Sequence, residues 1–231
     1  MKFAFDPGVA PSLPINGSSE RFPVHRIYCV GRNYADHARE MGGNPEREPP
    51  FFFAKPADAI VESGGQVPYP PRTENLHHEI ELVVAIAREG KNIKLDEADA
   101  YIFGYAVGND LTRRDLQFKS RDAGRPWDTA KGFDHSAPIT AIHPIEETGV
   151  LERGEIWLTV NEERRQTSNL DQMIWSVPEI IVELSQLYAL KPGDLIFTGT
   201  PSGVGPLLPG DVVEGGVELL GTLQFTITAD D

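Results

Sequence analysis

The sequence predicts an α+β protein, a compact β roll or barrel-like body carrying a few short helices. Three observations predict it. The stretch KPGDLIFTGTPSGVGPLLPGDVVEGG at 191–216 alternates short apolar runs with Pro-Gly-Asp turns, the pattern of closely spaced strands. Helical patterns are too few and too irregularly placed for a doubly wound sheet. Neither a dinucleotide fingerprint nor a phosphate loop ending in Gly-Lys-Ser/Thr is present. A chain of 231 residues, 40% hydrophobic, can bury a full core and fits one large domain or a domain with a small N-terminal annex.

Residues 1–22 are rich in Pro, Gly and Ser and read as an N-terminal arm or short strand pair, leaving 23–231 as the body. RIYCVG at 26–31 is a strand, and Asn33 is placed to cap the helix that follows, with Asp36 at its third position. His37 and Glu40 then share one face of that short helix. GGNPEREPP is a polar loop held by Pro, and FFFAKP is a short aromatic strand ending at Lys55. VESGGQVPYPPRTE is turn-rich and leads into HHEIELVVAI at 77–86, a strand. Asp96 to Ile102 is a short helix, and FGYAVGNDLT at 103–112 is a second strand that gives way to a turn at Gly108 and Asn109. The polar segment RRDLQFKSRDAGRPWDTAKGFDHSAP has Lys131 in a loop. IWLTVN at 156–161 turns at Glu162 and Glu163 into a returning strand. The clearest helix starts at Ser176, which forms a capping box with Glu179. Val177, Ile180, Ile181, Leu184, Leu187 and Tyr188 mark its apolar face as far as Pro192.

The 35 acidic against 21 basic residues give a formal charge of -14, which opposes binding to nucleic acid or anionic lipid. A small anionic substrate requires a local cluster of cations or a bound metal. The single cysteine, Cys29, allows neither an intrachain disulfide nor a cysteine-based zinc cluster. No signal-peptide core develops at the N-terminus and no run reaches the length of a membrane span, so a cytoplasmic protein is expected.

Within the strand at 77–86, Glu79 and Glu81 point the same way, roughly 7 Å apart at their α-carbons. Two carboxylates on one half-buried face cost repulsion and desolvation unless a cation joins them. An edge strand facing solvent would equally remove the problem. Asp110 stands where a second apolar strand ends in a turn. Convergence of the three would make an all-oxygen site suited to Mg²⁺ or Mn²⁺. Of the two histidines only His77 shares the face of Glu79 and Glu81, where it is expected behind the ligands, fixing a carboxylate.

Five ordered motifs carry a resemblance. GRNYADHARE holds His37 and Glu40, HHEIE holds Glu79 and Glu81, and GNDLTRRDLQ holds Asp110, Arg114 and Gln117; KGFDHSAP and PGDLIFTGTPSGVG follow. From about Arg26 onward the chain resembles the fumarylacetoacetate hydrolase superfamily, and within it acylpyruvate hydrolases, especially bacterial fumarylpyruvate hydrolases. The resemblance implies a mixed β-sheet roll, a homodimer and Mg²⁺ or Mn²⁺ held by Glu79, Glu81 and Asp110. It implies hydrolysis of the C-C bond of a 2,4-dioxo acid, fumarylpyruvate giving fumarate and pyruvate, as in gentisate breakdown. The α-keto carboxylate end would chelate the metal, where enolate charge collects on C3–C4 cleavage.

On this reading His37, paired with Glu40, is the general base that deprotonates the attacking water. The segment that carries them is a lid in the family. Lys131, Arg114 and Lys55 are the cations that hold a dianionic substrate. Gln117 and Lys131 position the water or stabilise oxygens of the adduct. Thr200, in a glycine-rich turn, receives a substrate carboxylate. Arg32 or Arg121 is expected at the distal end. The nearest rival reaction is oxaloacetate decarboxylation, which needs the same metal without an activated water. A rival of another class is a metal-stabilised dimerisation or binding module without turnover.

Overall fold

The computed structural model describes residues 2–42 and 48–229. Its centre is an 8-stranded mixed sheet in which Phe51–Lys55, Arg26–Gly31, Asp194–Phe197, Ile80–Ile86, Ile102–Asn109, Ala137–Ile139 and Ile60–Glu62 lie side by side in that order. His143–Pro144 pairs with Ile102–Asn109 as the remaining strand. Arg26–Gly31 and Asp194–Phe197 run parallel, as do Ala137–Ile139 and Ile60–Glu62, and the other neighbours are antiparallel. A 5-stranded sheet built on Glu155–Val160, Glu163–Asn169, Val212–Val217, Thr222–Thr228 and Gln66–Pro68 curls beside it. This is the mixed roll with short helices that the resemblance implies.

Two cores follow from strand alternation. From Ile80–Ile86, residues Ile80, Leu82, Val84 and Ile86 enter one apolar cluster, and Val83 and Ala85 enter another on the opposite face. All seven residues of the strand are buried because it lies inside the sheet, so the edge-strand alternative falls. Glu81 shares the face of Val83 and Ala85. Its cross-strand partner is Gly108, where a Cβ would come within 2.5 Å of Val83 Cγ2 and 2.6 Å of Phe197 Cε1. Glycine is therefore needed there for strand packing beside the carboxylate.

The helix Val177–Leu187 carries the expected capping box, worth about 1 kcal/mol in caps of this kind. Its apolar stripe is shorter than predicted. Leu187 is 64% and Tyr188 44% exposed, because the chain leaves the helix at Leu187 before a further turn can press them inward. The N-terminal segment forms the hairpin Ser12–Pro14 with Arg21–Pro23, tied to the body by Asn16 N donating to Ile142 O at 2.8 Å.

Local expectations are corrected at four places. Asn33 is not the cap of the first helix, Ala35–Glu40; Tyr34 takes that position without a side-chain cap bond. The Asn33 amide instead donates to Trp175 O and Thr198 O at 2.9 and 2.8 Å and accepts from Trp175 N at 2.7 Å, so tertiary bonds outbid the local one. The strand Ile102–Asn109 runs through Gly108 and Asn109 instead of turning there. The polar segment contains a helix, Arg114–Asp122, and Lys131 ends a second, Asp128–Lys131, where it is buried and not a loop lysine. Of the loop expected at 42–50, residues 43–47 lie outside the described residues. No helix among the described residues is long and apolar enough to cross a membrane.

Candidate active site

The break between the strands Leu76–His78 and Ile80–Ile86 falls at Glu79. Its backbone N-H donates to Asn109 Oδ1 at 3.1 Å and its carbonyl accepts from Asp110 N at 2.8 Å. Those two bonds clamp the residue before the central strand to the residue after its antiparallel neighbour. The side chains of Glu79, Glu81 and Asp110 therefore converge, each offering an oxygen within 4.8 Å of the others, and all three are buried.

The cations absent from the strand come from elsewhere in the chain. Lys131 Nζ lies 2.8 Å from Glu79 Oε2 and 2.6 Å from Asp110 Oδ2. Arg114 donates to Glu79 Oε1 and to Gln117 Oε1. Lys55 Nζ lies 2.8 Å from Asp110 Oδ1 and donates to Leu111 O at 3.1 Å and to Lys131 O. Lys55 thus sits behind the acids and is not among the residues that line the pocket in front of them. Arg114 Nε reaches His77 Nδ1 at 3.4 Å, so His77 is linked by hydrogen bonds to Glu79 through Arg114.

These contacts divide the three acids unequally. Burial opposes the charge of Glu79, but Lys131 and Arg114 outweigh it and hold the carboxyl well below its ordinary range. Burial, then the neighbouring Asp110 and Glu79, push Glu81 well above the usual value. Its carboxylate receives one amide, Gly199 N, at 2.7 Å. Gly199 has φ +100°, and a Cβ there would meet Asn33 Cβ at 2.6 Å, so glycine is required to bring that amide in. Asp110 Oδ1 also lacks an aligned hydrogen bond despite its nearness to Lys55. Three converging carboxylates with unmet acceptor capacity, and no sulfur or imidazole donor, fit a hard divalent cation. Glu79, Glu81 and Asp110 form a coordination site of the Mg²⁺ or Mn²⁺ type.

Above them opens a pocket lined by the three acids, His37, Arg114, Gln117, Lys131 and Thr200, with Arg32 and Arg121 also in its wall. His37 Nδ1 is 3.1 Å from Glu40 Oε2, and the Glu40 oxygens accept from Gly203 N at 3.1 and 3.2 Å. Burial works against the Glu40 charge, but the His37 and Gly203 hydrogen bonds outweigh it and lower its pKa. An ionised Glu40 accepts only, so it selects the tautomer with the proton on Nδ1 and a lone pair on Nε2.

Sequence reasoning did not single out Gln166, a buried residue of the strand Glu163–Asn169. Its Oε1 accepts from Ile80 N at 3.2 Å and pairs with His78 Nδ1 at 2.9 Å, while Nε2 donates to Thr200 Oγ1 and Pro201 O, both at 2.8 Å. The signal was a lone glutamine among charged strand residues, which by itself carries no chemistry. The aromatic walls Phe118 and Trp127 were also missed, because both stand in the segment read as polar.

A family model described as the fumarylacetoacetate (FAA) hydrolase C-terminal domain matches residues 26–228. A fumarylpyruvate hydrolase from Ralstonia sp is 48% identical over 180 residues, 78% of this chain and 93% of that protein. The crystal structure of a fumarylpyruvate hydrolase from Pseudomonas aeruginosa in complex with Mn²⁺ and pyruvate superposes with a TM-score of 0.97 at 50% identity, covering 99% of this chain and 100% of that one. A mitochondrial oxaloacetate decarboxylase from Dictyostelium discoideum is 41% identical over 204 residues, 87% of this chain and 93% of that protein.

Proposed function

Because the chain belongs to the fumarylacetoacetate hydrolase family, we propose that it is a metal-dependent C-C bond hydrolase of acylpyruvates that converts fumarylpyruvate and water to fumarate and pyruvate. The observation that carries the reading is the Glu40-held imidazole of His37 in one pocket with three convergent carboxylates.

When bound at Glu79, Glu81 and Asp110, the divalent cation supplies Lewis acidity to the α-keto carboxylate end of the substrate. His37 Nε2 takes a proton from water as its oxygen attacks C4, and Glu40 stabilises the imidazolium. The C3–C4 bond then breaks with its electron pair moving to C3 and the 2-oxo oxygen. The proton held by His37 returns to C3, leaving fumarate and pyruvate. Lys131 Nζ has three N-H groups, two of them directed at Glu79 and Asp110, and the third is available to a substrate oxygen. Gln117 has its carbonyl occupied by Arg114, so its amide N-H groups face the pocket and it serves as a donor to developing negative oxygen. Thr200 accepts from Gln166 and so turns its own hydroxyl proton toward a substrate carboxylate. Arg114 and Lys55 act behind these groups by neutralising Glu79 and Asp110. The homodimer and the cytoplasmic setting implied by the resemblance belong to the same proposal.

Oxaloacetate decarboxylation is the second reading, supported by the Dictyostelium relative. It requires no base to activate water, and the His37–Glu40 pair favours hydrolysis. The test is turnover of fumarylpyruvate with Mn²⁺ or Mg²⁺, followed by loss of dioxo-acid absorbance and identification of products. Fumarate and pyruvate should form, and both Glu81→Ala and His37→Ala should abolish their formation. Oxaloacetate decarboxylation that survives His37→Ala, with no fumarylpyruvate turnover, would establish the second reading instead.

A further inference from the structure

The cations around the pocket fall into two sets. Lys131 and Arg114 are buried and paired with Glu79 and Asp110 at the acid cluster. Arg32 and Arg121 line the same pocket but are partly exposed, and they share its wall with Phe53, Phe118 and Trp127. Both sets of cations and the three aromatic rings line one cavity.

Arg32 and Arg121 are not equivalent. Arg121 Nε donates to Asp122 Oδ1 at 3.0 Å, its Nη1 reaches Met41 O at 3.5 Å, and the guanidinium lies 4.7 Å from the Phe118 ring centroid. Arg32, among the described residues, has neither a carboxylate nor a hydrogen-bond partner, and its guanidinium lies 5.8 Å from the Phe51 ring centroid. Its backbone has φ 60°, the left-handed region that disfavours a residue with a Cβ. The kink is pinned on both sides. Gly31 pairs with Phe51 at the end of the strand Arg26–Gly31, and the Asn33 side chain is bonded to Trp175 and Thr198. The Arg32 backbone is thus fixed at the pocket wall.

Resting on the hydrolase reading above, we propose that Arg32 is the receptor for a second carboxylate at the end of the substrate remote from the diketone. It makes the enzyme selective for acylpyruvates whose flat acyl chain ends in an anion. The planar guanidinium offers a paired set of donors to a carboxylate. Phe53, Phe118 and Trp127 in the wall of the same cavity suit an unsaturated linker.

The experiment compares fumarylpyruvate with crotonylpyruvate, in which a methyl group replaces the distal carboxylate, using the Mn²⁺-loaded wild type, Arg32→Gln and Arg121→Gln. Wild type should prefer fumarylpyruvate by about tenfold or more in kcat/KM. Arg32→Gln should lower kcat/KM for fumarylpyruvate by about 10- to 100-fold, mainly through KM, and leave crotonylpyruvate within about threefold. Calorimetric titration with fumarate and crotonate gives a readout apart from turnover; Arg32→Gln should weaken fumarate alone. A parallel loss on both substrates, or a selective loss in Arg121→Gln and not in Arg32→Gln, overturns the assignment. Wild type that hydrolyses both substrates equally, with no Arg32 effect, overturns it and leaves the hydrolase reading standing. Wild type that binds Mn²⁺ yet hydrolyses neither overturns the hydrolase reading and the assignment with it.

Discussion

Replacing Lys131 by Met separates the charge balance of the site from its metal. The Nζ lies 2.8 Å from Glu79 Oε2 and 2.6 Å from Asp110 Oδ2, with all three groups buried. Removing one partner of a buried ion pair costs about 3–5 kcal/mol, and Lys131 is a partner of both acids, although Arg114 stays on Glu79 and Lys55 on Asp110. At roughly 2–4 °C per kcal/mol for a chain of this size, the chelator-treated variant should melt about 6–20 °C below wild type. Burial opposes the Lys131 charge, yet Asp110 and Glu79 raise its pKa, so it is charged across the working range. Without it Glu79 loses the largest charge that opposes the effect of its burial, and its carboxyl moves up. A carboxyl raised in the folded state loses stability as pH rises, so the gap to wild type should be wider at about pH 8 than at about pH 5.5. Mn²⁺ supplies the missing positive charge and should narrow the gap, because an ion that binds the folded state stabilises it by mass action. Differential scanning fluorimetry across pH, with and without Mn²⁺, measures all three effects. A metal-free melting shift below about 2 °C, or a gap indifferent to both Mn²⁺ and pH, would refute this charge balance.

Two further outcomes are expected. Glu81, pushed well up by burial and by Asp110 and Glu79, holds its proton to higher pH than an ordinary carboxyl and must lose it to coordinate. Divalent-ion affinity should therefore rise with pH below that raised value, with proton release visible by calorimetry in buffers of different ionisation enthalpy; affinity that falls with pH would contradict this. Gln166→Leu should raise KM by about tenfold with kcat changed less than about threefold, because Thr200 loses the donor that orients its hydroxyl. Adding Thr200→Val to Gln166→Leu should cost little more, and full additivity in that double-mutant cycle would show that the two residues act separately.

The fold was legible wherever one residue pattern determines one element. The run from Ile80 to Ile86 reads as a strand on its composition, and Ser176 with Glu179 announces the helix start. Periodicity gives a strand's face but not its place in a sheet, so it left the central strand indistinguishable from an edge. The flanking pairings with Asp194–Phe197 and Ile102–Asn109 decide that, and both are long-range. The helix Arg114–Asp122 escaped the pattern for a chemical reason. It buries Arg114 and Gln117 toward the acids, so its inward face is polar and an apolar stripe is the wrong signal for it.

The same inversion explains why the metal site was legible from motif order and not from local pattern. Glu79 and Lys131 lie 52 positions apart, and no window on the chain contains both. Glu81 is brought to Asp110 by a register that sets it opposite Gly108, two positions before the aspartate. A shift of one residue would turn Glu81 into the core of Leu82 and Val84. The register is in turn held by Ile80, Leu82 and Val84 on the opposite face, each worth about 1.5–3 kcal/mol when fully buried. The apolar residues between and after the glutamates thus fix the position of the carboxylates more firmly than the carboxylates oppose it. A buried acidic pair inside a strand of this composition is consequently stable only as part of a cation site, with Lys131, Lys55 and Arg114 in place before any metal arrives.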